Sequence, residues 1–252
     1  MIARRTQPEL EKMRRSGQVV HEVLQRVRAA VRPGASTWDL EEIADATIRE
    51  LGATSAFRGY HGFPCVLCVS VNEQVIHGIP SRKRTLQPGE IVSLDCGVVV
   101  NGYYADHAVT VVVGSAELAP VPARKLMEVT EGALAAGIEQ ARVGRHLGDI
   151  SQAVQQFAES AGFSVVREFV GHGIGTHLHE DPQVPNYGAA GSGPKLREGM
   201  VLAIEPMLNE GGPGVQVLPD GWTAVTTDGT MSAHFEHTVA ITANGPWVLT
   251  GA

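Results

Sequence analysis

The sequence predicts an α+β fold made of two similar halves that face each other about an internal pseudo-twofold axis. The order of helical and strand-like segments in the first half starts again 110 positions later, and several turn-forming residues recur at that spacing. An apolar strand also ends in a carboxylate twice, at Asp95 and at Glu205. Such internal self-similarity is typical of a fold assembled from two related units.

The first half begins with helices. Apolar side chains at near-helical spacing predict a helix over residues 9–31, which ends at Pro33-Gly34. Ser36 or Thr37 can cap a second helix over residues 38–51. The strand-like runs that follow are residues 65–71, 91–94 and 109–113.

The second half follows the same plan. Helices are predicted over residues 123–141 and 149–161. When the two halves are aligned, the segment 89–95 corresponds to the segment 199–205. Chance is the alternative explanation for some of these matches. No Ser/Gly-rich linker divides the halves, so we expect one catalytic domain over residues 1–252, with half-repeats of roughly 8–118 and 119–252. The pairs that differ by 110 positions are Arg32/Arg142, Gly34/Gly144, Asp39/Asp149 and Gly52/Gly162.

Composition and charge exclude some classes of protein. The hydrophobic fraction of 43% is ordinary for a globular protein, and the net charge of −7 argues against a nucleic-acid-binding surface. No apolar run reaches the roughly 18 residues of a membrane helix, and no signal peptide is recognised. Three cysteines without a disulfide pattern favour a reducing compartment. We expect a cytoplasmic protein, with a monomer as the default.

Five residues stand out as candidate metal ligands. Asp95 and Asp106 flank a predicted hairpin with Asn101-Gly102 at its turn, so the two acids can lie close together on adjacent strands. The other candidates lie in a glycine-rich loop, at a strand end and just before a strand. These are His172, Glu205 and Glu236.

The chemistry of this set favours a pair of divalent cations. Four buried carboxylates would repel one another at a cost of several kcal/mol per ion, and two divalent cations would neutralise them. An oxygen-rich set with one imidazole favours Mn(II), Fe(II) or Co(II). Two such ions about 3.5–4 Å apart can share a hydroxide and polarise a scissile carbonyl. Taken singly, each acid is more typical of a surface or capping residue; the complete set favours the metal site.

The motifs around these residues resemble the type I methionine aminopeptidases of the bacterial kind over essentially the whole chain. The resemblance implies the pita-bread fold and removal of the initiator methionine from nascent polypeptides, with a small second residue on the substrate and the ribosome as a further partner. It also implies that Asp95, Asp106, His172, Glu205 and Glu236 bind metal, with Asp106 and Glu236 bridging. The matching stretches are residues 59–62, 71–73, 75–80, 94–95, 105–106, 171–175, 179–180, 204–206 and 235–238.

Catalytic and substrate-binding roles also follow from the resemblance. Glu205 is the expected general base and then acid. His77 and His179 are expected above the metals, in contact with substrate and intermediate. Phe57 and Leu178 depart from the Cys and Phe often seen at their positions, so the wall is expected to stay apolar with a different shape. The methionine pocket implied by the family consists of Phe57, Tyr60, Phe63, Cys68, Leu178 and Trp222, which without the family are typical core residues.

Several features of the sequence allow other interpretations. Cys65 and Cys68 form a CxxC in a strand-like run, which is unlike a redox motif at a helix start. His177 is an extra histidine that could bind adventitious metal. A peptidase acting on X-Pro bonds usually carries an added amino-terminal domain, and a non-catalytic relative would be expected to lose ligands. Ser93 and Ser232 fall near where some relatives hold a monovalent cation.

Overall fold

Two helices followed by a group of strands occur twice along the chain, as the sequence predicts. The computed structural model describes residues 2–251. Each predicted helix is present, and both of its ends lie within two residues of the predicted bounds. Two short 3₁₀ turns lie at Tyr60–Gly62 and Ala116–Leu118. The helices are α1 (Gln7–Ala30), α2 (Thr37–Glu50), α3 (Val121–Gln140) and α4 (Leu147–Ser160).

One large curled sheet organises the strands. Its order is β1-β4-β5-β14-β9-β7-β8, with β15 added to β14 and β2 added to β4, and two three-stranded sheets flank it, ordered β13-β10-β6 and β11-β12-β3. The strands are β1 (Thr54–Ser55), β2 (Leu67–Val71), β3 (Gln74–Ile76), β4 (Ile91–Val100), β5 (Tyr103–Val112), β6 (Ser164–Val165), β7 (Gly171–Gly173), β8 (Glu180–Val184), β9 (Val201–Ile204), β10 (Met207–Asn209), β11 (Val215–Val217), β12 (Ala224–Thr226), β13 (Ser232–His234), β14 (Glu236–Thr242) and β15 (Gly245–Val248).

The β4–β5 hairpin is longer than the predicted strand runs. Both residues of the Asn101-Gly102 turn have positive φ, 51° and 79°, as a two-residue hairpin turn requires. Pairing continues from Val100↔Tyr103 to Ile91↔Val112, so polar Asp95 and Asp106 lie inside strands and do not end them. Burial against neighbouring elements overrides the low strand propensity of aspartate.

The helix starts repeat between the halves. At α2 the Ser36 hydroxyl accepts a hydrogen bond from the Asp39 amide, and the Asp39 carboxylate accepts one from the Ser36 amide. At α4 the Asp149 carboxylate accepts in the same way from the His146 amide, at 2.8 Å. This reciprocal capping satisfies amides that the helix itself leaves unpaired.

Backbone pairing repeats at the same spacing. The isolated bridge Ser36↔Thr85 has its counterpart in His146↔Lys195. The pairing of Thr54 with Val99 recurs as that of Ser164 with Asn209. Matched hydrogen bonds at residues 110 positions apart exclude chance and confirm the internal pseudo-twofold repeat.

The two halves join along the pairing of β5 with β14. Glu236 pairs with Ala108 and His237 with His107 at this junction. Helix α1 packs its buried valines on the first-half strands, and helices α3 and α4 pack on the second-half strands. We propose that residues 1–252 form one domain with half-repeats of about 8–118 and 119–252, which this continuous sheet supports. No helix within residues 2–251 has the length and apolar character to cross a bilayer.

A buried carboxylate anchors the strand that leads to the site. Glu41 on α2 is 2% exposed and accepts hydrogen bonds from the amides of Val66 and Leu67 and from the Arg58 guanidinium. Burial raises its pKa, and these hydrogen bonds oppose the shift. The carboxylate therefore holds both the start of β2 and the loop that precedes Tyr60.

Removing this anchor is expected to destabilise the protein. Glu41→Ala leaves two buried amides without an acceptor, so the free energy of unfolding should fall by about 3 kcal/mol. Urea unfolding measures the change. Glu42→Ala is the matched control, because Glu42 is exposed and pairs with exposed Arg82; its effect should stay within about 0.5 kcal/mol. Equal unfolding midpoints for the two variants would contradict the anchoring role.

Candidate metal centre and active site

The β4–β5 hairpin brings two of the predicted ligands together. Asp95 lies opposite Ala108 and Asp106 lies opposite Gly97, so the two aspartates are diagonal neighbours in the ladder. Residues at such diagonal positions project from the same face of the sheet. Their side chains are buried, at 9% and 5% exposure, and are linked by a hydrogen bond between the carboxyls.

The second half supplies the other three predicted ligands. His172 lies on β7, Glu205 follows the last residue of β9, and Glu236 begins β14. Ligand atoms of Asp106, His172 and Glu236 lie within 4.8 Å of one another. Glu205 joins them, since its Oε1 is 3.5 Å from His172 Nε2. The fold therefore brings acids from both halves to one imidazole.

The imidazole of His172 is oriented by its own loop. Its Nδ1 lies 2.9 Å from the carbonyl oxygen of Gly173, which can only accept, so Nδ1 carries the proton. Burial, followed by the neighbouring His179, lowers the pKa of His172 to about 3. The ring is thus neutral, and its Nε2 lone pair is directed towards the carboxylates, as metal coordination requires.

All four carboxyls of the cluster have a raised pKa. Burial is the largest cause for each, and it raises the pKa of Asp106 to about 7 and those of the other three well above the ordinary range. Repulsion from neighbouring carboxylates adds to the shift at Asp95, Glu205 and Glu236. Without a counter-charge, this cluster retains protons near neutral pH.

The cluster fits divalent metal ions. Among the described residues, the buried Oδ1 of Asp95 and Oε1 of Glu236 have no hydrogen-bond partner. Buried oxygens of this kind are normally satisfied, and a cation would satisfy them and remove the repulsion. The donor set of four carboxylates and one imidazole suits Mn(II), Fe(II) or Co(II).

A cavity of about 140 Å³ opens beside these carboxyls and combines an acidic and an apolar side. Every residue predicted from the sequence for metal, substrate or catalysis lines it. The lining residues are Phe57, Tyr60, Phe63, Cys68, His77, Asp95, Asp106, His172, Leu178, His179, Glu205, Trp222 and Glu236.

Aromatic side chains form the apolar side. Phe63 packs edge-to-face on Phe57 and on Trp222, with ring centroids 6.5 and 5.2 Å apart. Cys68 pairs with Asp95 across β2 and β4, which places the thiol at the junction of the apolar wall and the acids. Edge-to-face contacts are a favoured arrangement of aromatic rings, so they stabilise the positions of the side chains in this wall.

Two neutral histidines lie over the acids. Burial lowers the pKa of His77 to about 4, and its ring packs edge-to-face on Trp222. Burial likewise lowers the pKa of His179, whose ring centroid is 4.2 Å from that of His172. The Nδ1 of His179 is 2.6 Å from the Tyr60 hydroxyl. Both imidazoles are therefore uncharged and can donate or accept at the cavity.

The sequence also singled out an extra histidine, a CxxC pair and two serines. His177 is 80% exposed in its side chain and lies outside the cavity. Burial raises the pKa of the free thiols of Cys65, to about 11, and of Cys68, which is opposite to the shift of a reactive redox cysteine. Ser93 bonds the Thr110 hydroxyl and Ser232 bonds the Leu208 carbonyl oxygen. A monovalent cation near these serines stays a prediction.

One residue of the site was missed from the sequence. His234 is 2% exposed, and its Nε2 lies 3.9 Å from Glu205 Oε2 without a hydrogen-bond partner among the described residues. It precedes Glu236 by two positions. Residues two apart in an extended segment share a face, so this spacing was the available signal.

Comparison with known proteins gives consistent matches. The model of metallopeptidase family M24 matches residues 11–243. The methionine aminopeptidase of Clostridium perfringens is 52% identical over 250 residues, which is 99% of each chain. Methionine aminopeptidase 1 of Bacillus subtilis is 48% identical with the same coverage.

Solved structures give the same picture. Methionine aminopeptidase from Thermotoga maritima superimposes with a TM-score of 0.97 at 46% identity over 100% of both chains. The prolidase from Pyrococcus furiosus matches 99% of this chain and 65% of its own, with a TM-score of 0.78 and 22% identity, which shows the shared fold alone. Together these likenesses confirm the pita-bread fold expected from the sequence.

Proposed function

The chain belongs to metallopeptidase family M24, and we propose that it is a methionine aminopeptidase. Such an enzyme is a metal-dependent hydrolase that removes the amino-terminal methionine of new polypeptides. The observation that carries the proposal is the single cavity in which a cluster of five ligand-type side chains adjoins an aromatic wall. The acidic side suits a metal-assisted hydrolysis, and the apolar side suits one uncharged side chain of the substrate.

Two divalent cations would be held by Asp95, Asp106, His172, Glu205 and Glu236. When bound, such cations supply an activated water and polarise the scissile carbonyl. The unpartnered oxygens of Asp95 and Glu236 support this assignment.

The remaining steps are carried by side chains. Glu205 accepts the proton of the attacking water and passes it to the leaving amine, a transfer that suits a carboxyl whose pKa burial has raised. His77 and His179, both neutral, donate hydrogen bonds to the substrate carbonyl oxygen as its negative charge develops.

The pocket for the first side chain is formed by Phe57, Tyr60, Phe63, Cys68, Leu178 and Trp222. A thioether packs favourably against aromatic edges, which the edge-to-face arrangement of Phe63 with its neighbours presents. The pocket therefore suits a peptide whose first residue is methionine, and the likeness to methionine aminopeptidases implies a small second residue. The enzyme acts in the cytoplasm as a monomer, on nascent chains at the ribosome.

The contribution of His77 can be separated from metal binding. His77→Ala should lower kcat by about 100-fold, because one donor to the developing oxyanion is lost, while metal content stays that of the wild type. Steady-state kinetics with elemental analysis of the same samples measures both. Loss of metal together with activity would contradict a role in substrate contact.

A peptide assay tests the proposed activity. Met-Ala-Ser, Met-Lys-Ser, Leu-Ala-Ser and Ala-Pro-Ser are compared in metal-free buffer and after addition of Mn(II), Co(II) or Fe(II). The proposal predicts metal-dependent release of methionine from Met-Ala-Ser, with Met-Lys-Ser and Leu-Ala-Ser cleaved at least about tenfold more slowly. Preferred cleavage of Ala-Pro-Ser would assign X-Pro activity to the protein. If no peptide is cleaved with any of the metals, the protein would be assigned as a non-catalytic binding protein.

A further inference from the structure

The short segment before α1 is bound to the second half of the molecule. The amide of Arg5 donates to the carbonyl oxygen of Gly199 at 2.6 Å, just ahead of β9, the strand that leads to Glu205. The Arg5 side chain is only 12% exposed. An arginine so buried needs an acidic partner and space for its guanidinium, and both are provided.

Two glycines provide the space. A Cβ atom on Gly175 would overlap the guanidinium of Arg5, and a Cβ atom on Gly199 would overlap its carbonyl oxygen. Gly175 is the last glycine of the motif that carries His172, and its φ does not require glycine for conformational reasons. Room for Arg5 therefore gives a physical reason for glycine at this position.

Glu180 is the acidic partner. The Arg5 Nη2 donates to both oxygens of the Glu180 carboxylate, whose side chain is 13% exposed. Oε1 of the same carboxylate accepts from the amides of Thr176 and His177, at 2.8 and 3.1 Å. One carboxylate thus closes the turn of residues 176–180 and binds it to the amino-terminal segment.

This turn presents two side chains to the cavity. Leu178 and His179 both line it, and His179 directly precedes Glu180. His179 is bonded by the Tyr60 hydroxyl, and the residue that follows it, Glu180, is held by its pair with Arg5. The position of the imidazole relative to His172 therefore depends on both supports.

We propose that Arg5 is a positioning residue that acts through Glu180 to hold the 176–180 turn, and with it His179, in the geometry needed for hydrolysis. This inference rests on the proposed peptidase function. A displacement of about 1 Å at a group that contacts the reacting carbonyl can cost up to about 100-fold in rate.

The test uses the Mn(II)-loaded full chain and begins with wild-type cleavage of Met-Ala-Ser, whose absence would contradict the proposed function and not this inference. Arg5→Ala should lower kcat/KM about 10- to 100-fold with unchanged bound metal, and Arg5→Lys should recover part of the loss. Arg4→Ala is the matched control, because exposed Arg4 bonds only the Glu198 carbonyl oxygen among the contacts described for it, and should stay within about twofold.

A double-mutant cycle separates positioning from general destabilisation. In a His179→Ala background, Arg5→Ala should cause no further loss, since Arg5 acts through the missing imidazole. An undiminished loss in that background, or wild-type kcat/KM in Arg5→Ala, would overturn the proposal.

Amide hydrogen exchange provides a readout that does not depend on activity. The amides of Thr176 and His177 should exchange faster in Arg5→Ala and in Glu180→Gln, while those of β4 and β5 keep wild-type protection. If Arg5→Ala does not fold, Glu180→Gln carries the same test, because its neutral amide weakens the pair while keeping its shape. Unchanged exchange at residues 176 and 177 would contradict the positioning role.

Discussion

Replacing Glu205 by alanine is expected to lower turnover more than about 1,000-fold, because the change removes a metal ligand and the proton carrier together. Glu205 is the residue at which both functions meet: its Oε1 is 3.5 Å from His172 Nε2, and burial holds its pKa well above the ordinary value. Steady-state hydrolysis of Met-Ala-Ser measures turnover, and elemental analysis of the same preparation measures bound metal.

The isosteric change Glu205→Gln separates the two roles of this residue. Glutamine keeps one ligand oxygen but cannot accept and return a proton, so this variant should retain more metal than Glu205→Ala and still be nearly inactive. The wild-type fold should persist in both, as circular dichroism would show. A Glu205→Ala protein with wild-type turnover would contradict the assignment of the whole site.

The metal-free protein is expected to lose stability as pH rises from 7 to 8, with a fall in Tm of about 4 °C. Burial raises the pKa of Asp106 to about 7 and of the other three acids well above the ordinary range, so the folded state holds protons that the unfolded state has released. A carboxyl with a raised pKa stabilises the fold at low pH, and this contribution disappears as pH rises through that pKa.

The buried histidines act in a separate pH range. Burial lowers the pKa of His77 to about 4 and of His172 and His234 to about 3, so their contribution is fully present above about pH 6.5 and is lost only as pH falls. Between pH 7 and 8 the acids therefore determine the slope. Thermal unfolding monitored by circular dichroism gives Tm at each pH.

Two controls test this fall in Tm: saturating Mn(II) and the variant Asp106→Asn. The cation should remove the fall in Tm, because the carboxylates are then paired at both pH values. Asp106→Asn removes one of the repelling charges, so the metal-free variant should be more stable than the metal-free wild type at pH 8 and should gain less from Mn(II). A metal-free wild type whose Tm rises from pH 7 to 8 would show that the four acids are not mutually destabilising.

The main features of the fold and the metal cluster could be predicted because a turn motif, an internal repeat and a family resemblance indicate them. The Asn101-Gly102 turn fixes the register of its hairpin, and this register makes Asp95 and Asp106 neighbours. Glu205 was recognisable because it occupies the position of Asp95 in the 110-residue repeat. Turn motifs and internal repeats are both visible in a single sequence.

The features that could not be predicted depend on distant parts of the chain. The Arg5–Glu180 pair joins residues 175 positions apart, and the bond between Tyr60 and His179 spans 119. No local spacing indicates either contact. In the sequence, His234 is indistinguishable from an ordinary strand residue, and only the structure shows that it lies beside Glu205. Side-chain partners of this type follow from packing, which the sequence pattern does not encode locally.

The central claim is that carboxylates from both halves and one imidazole hold a pair of divalent cations. Equilibrium dialysis of the metal-free protein against Mn(II), followed by elemental analysis, tests it most directly, with Glu236→Ala measured in parallel. We expect saturation at two ions per wild-type chain and fewer than two in the variant. A wild-type protein that binds no ion, or binds the same number with and without the Glu236 carboxylate, would contradict the account.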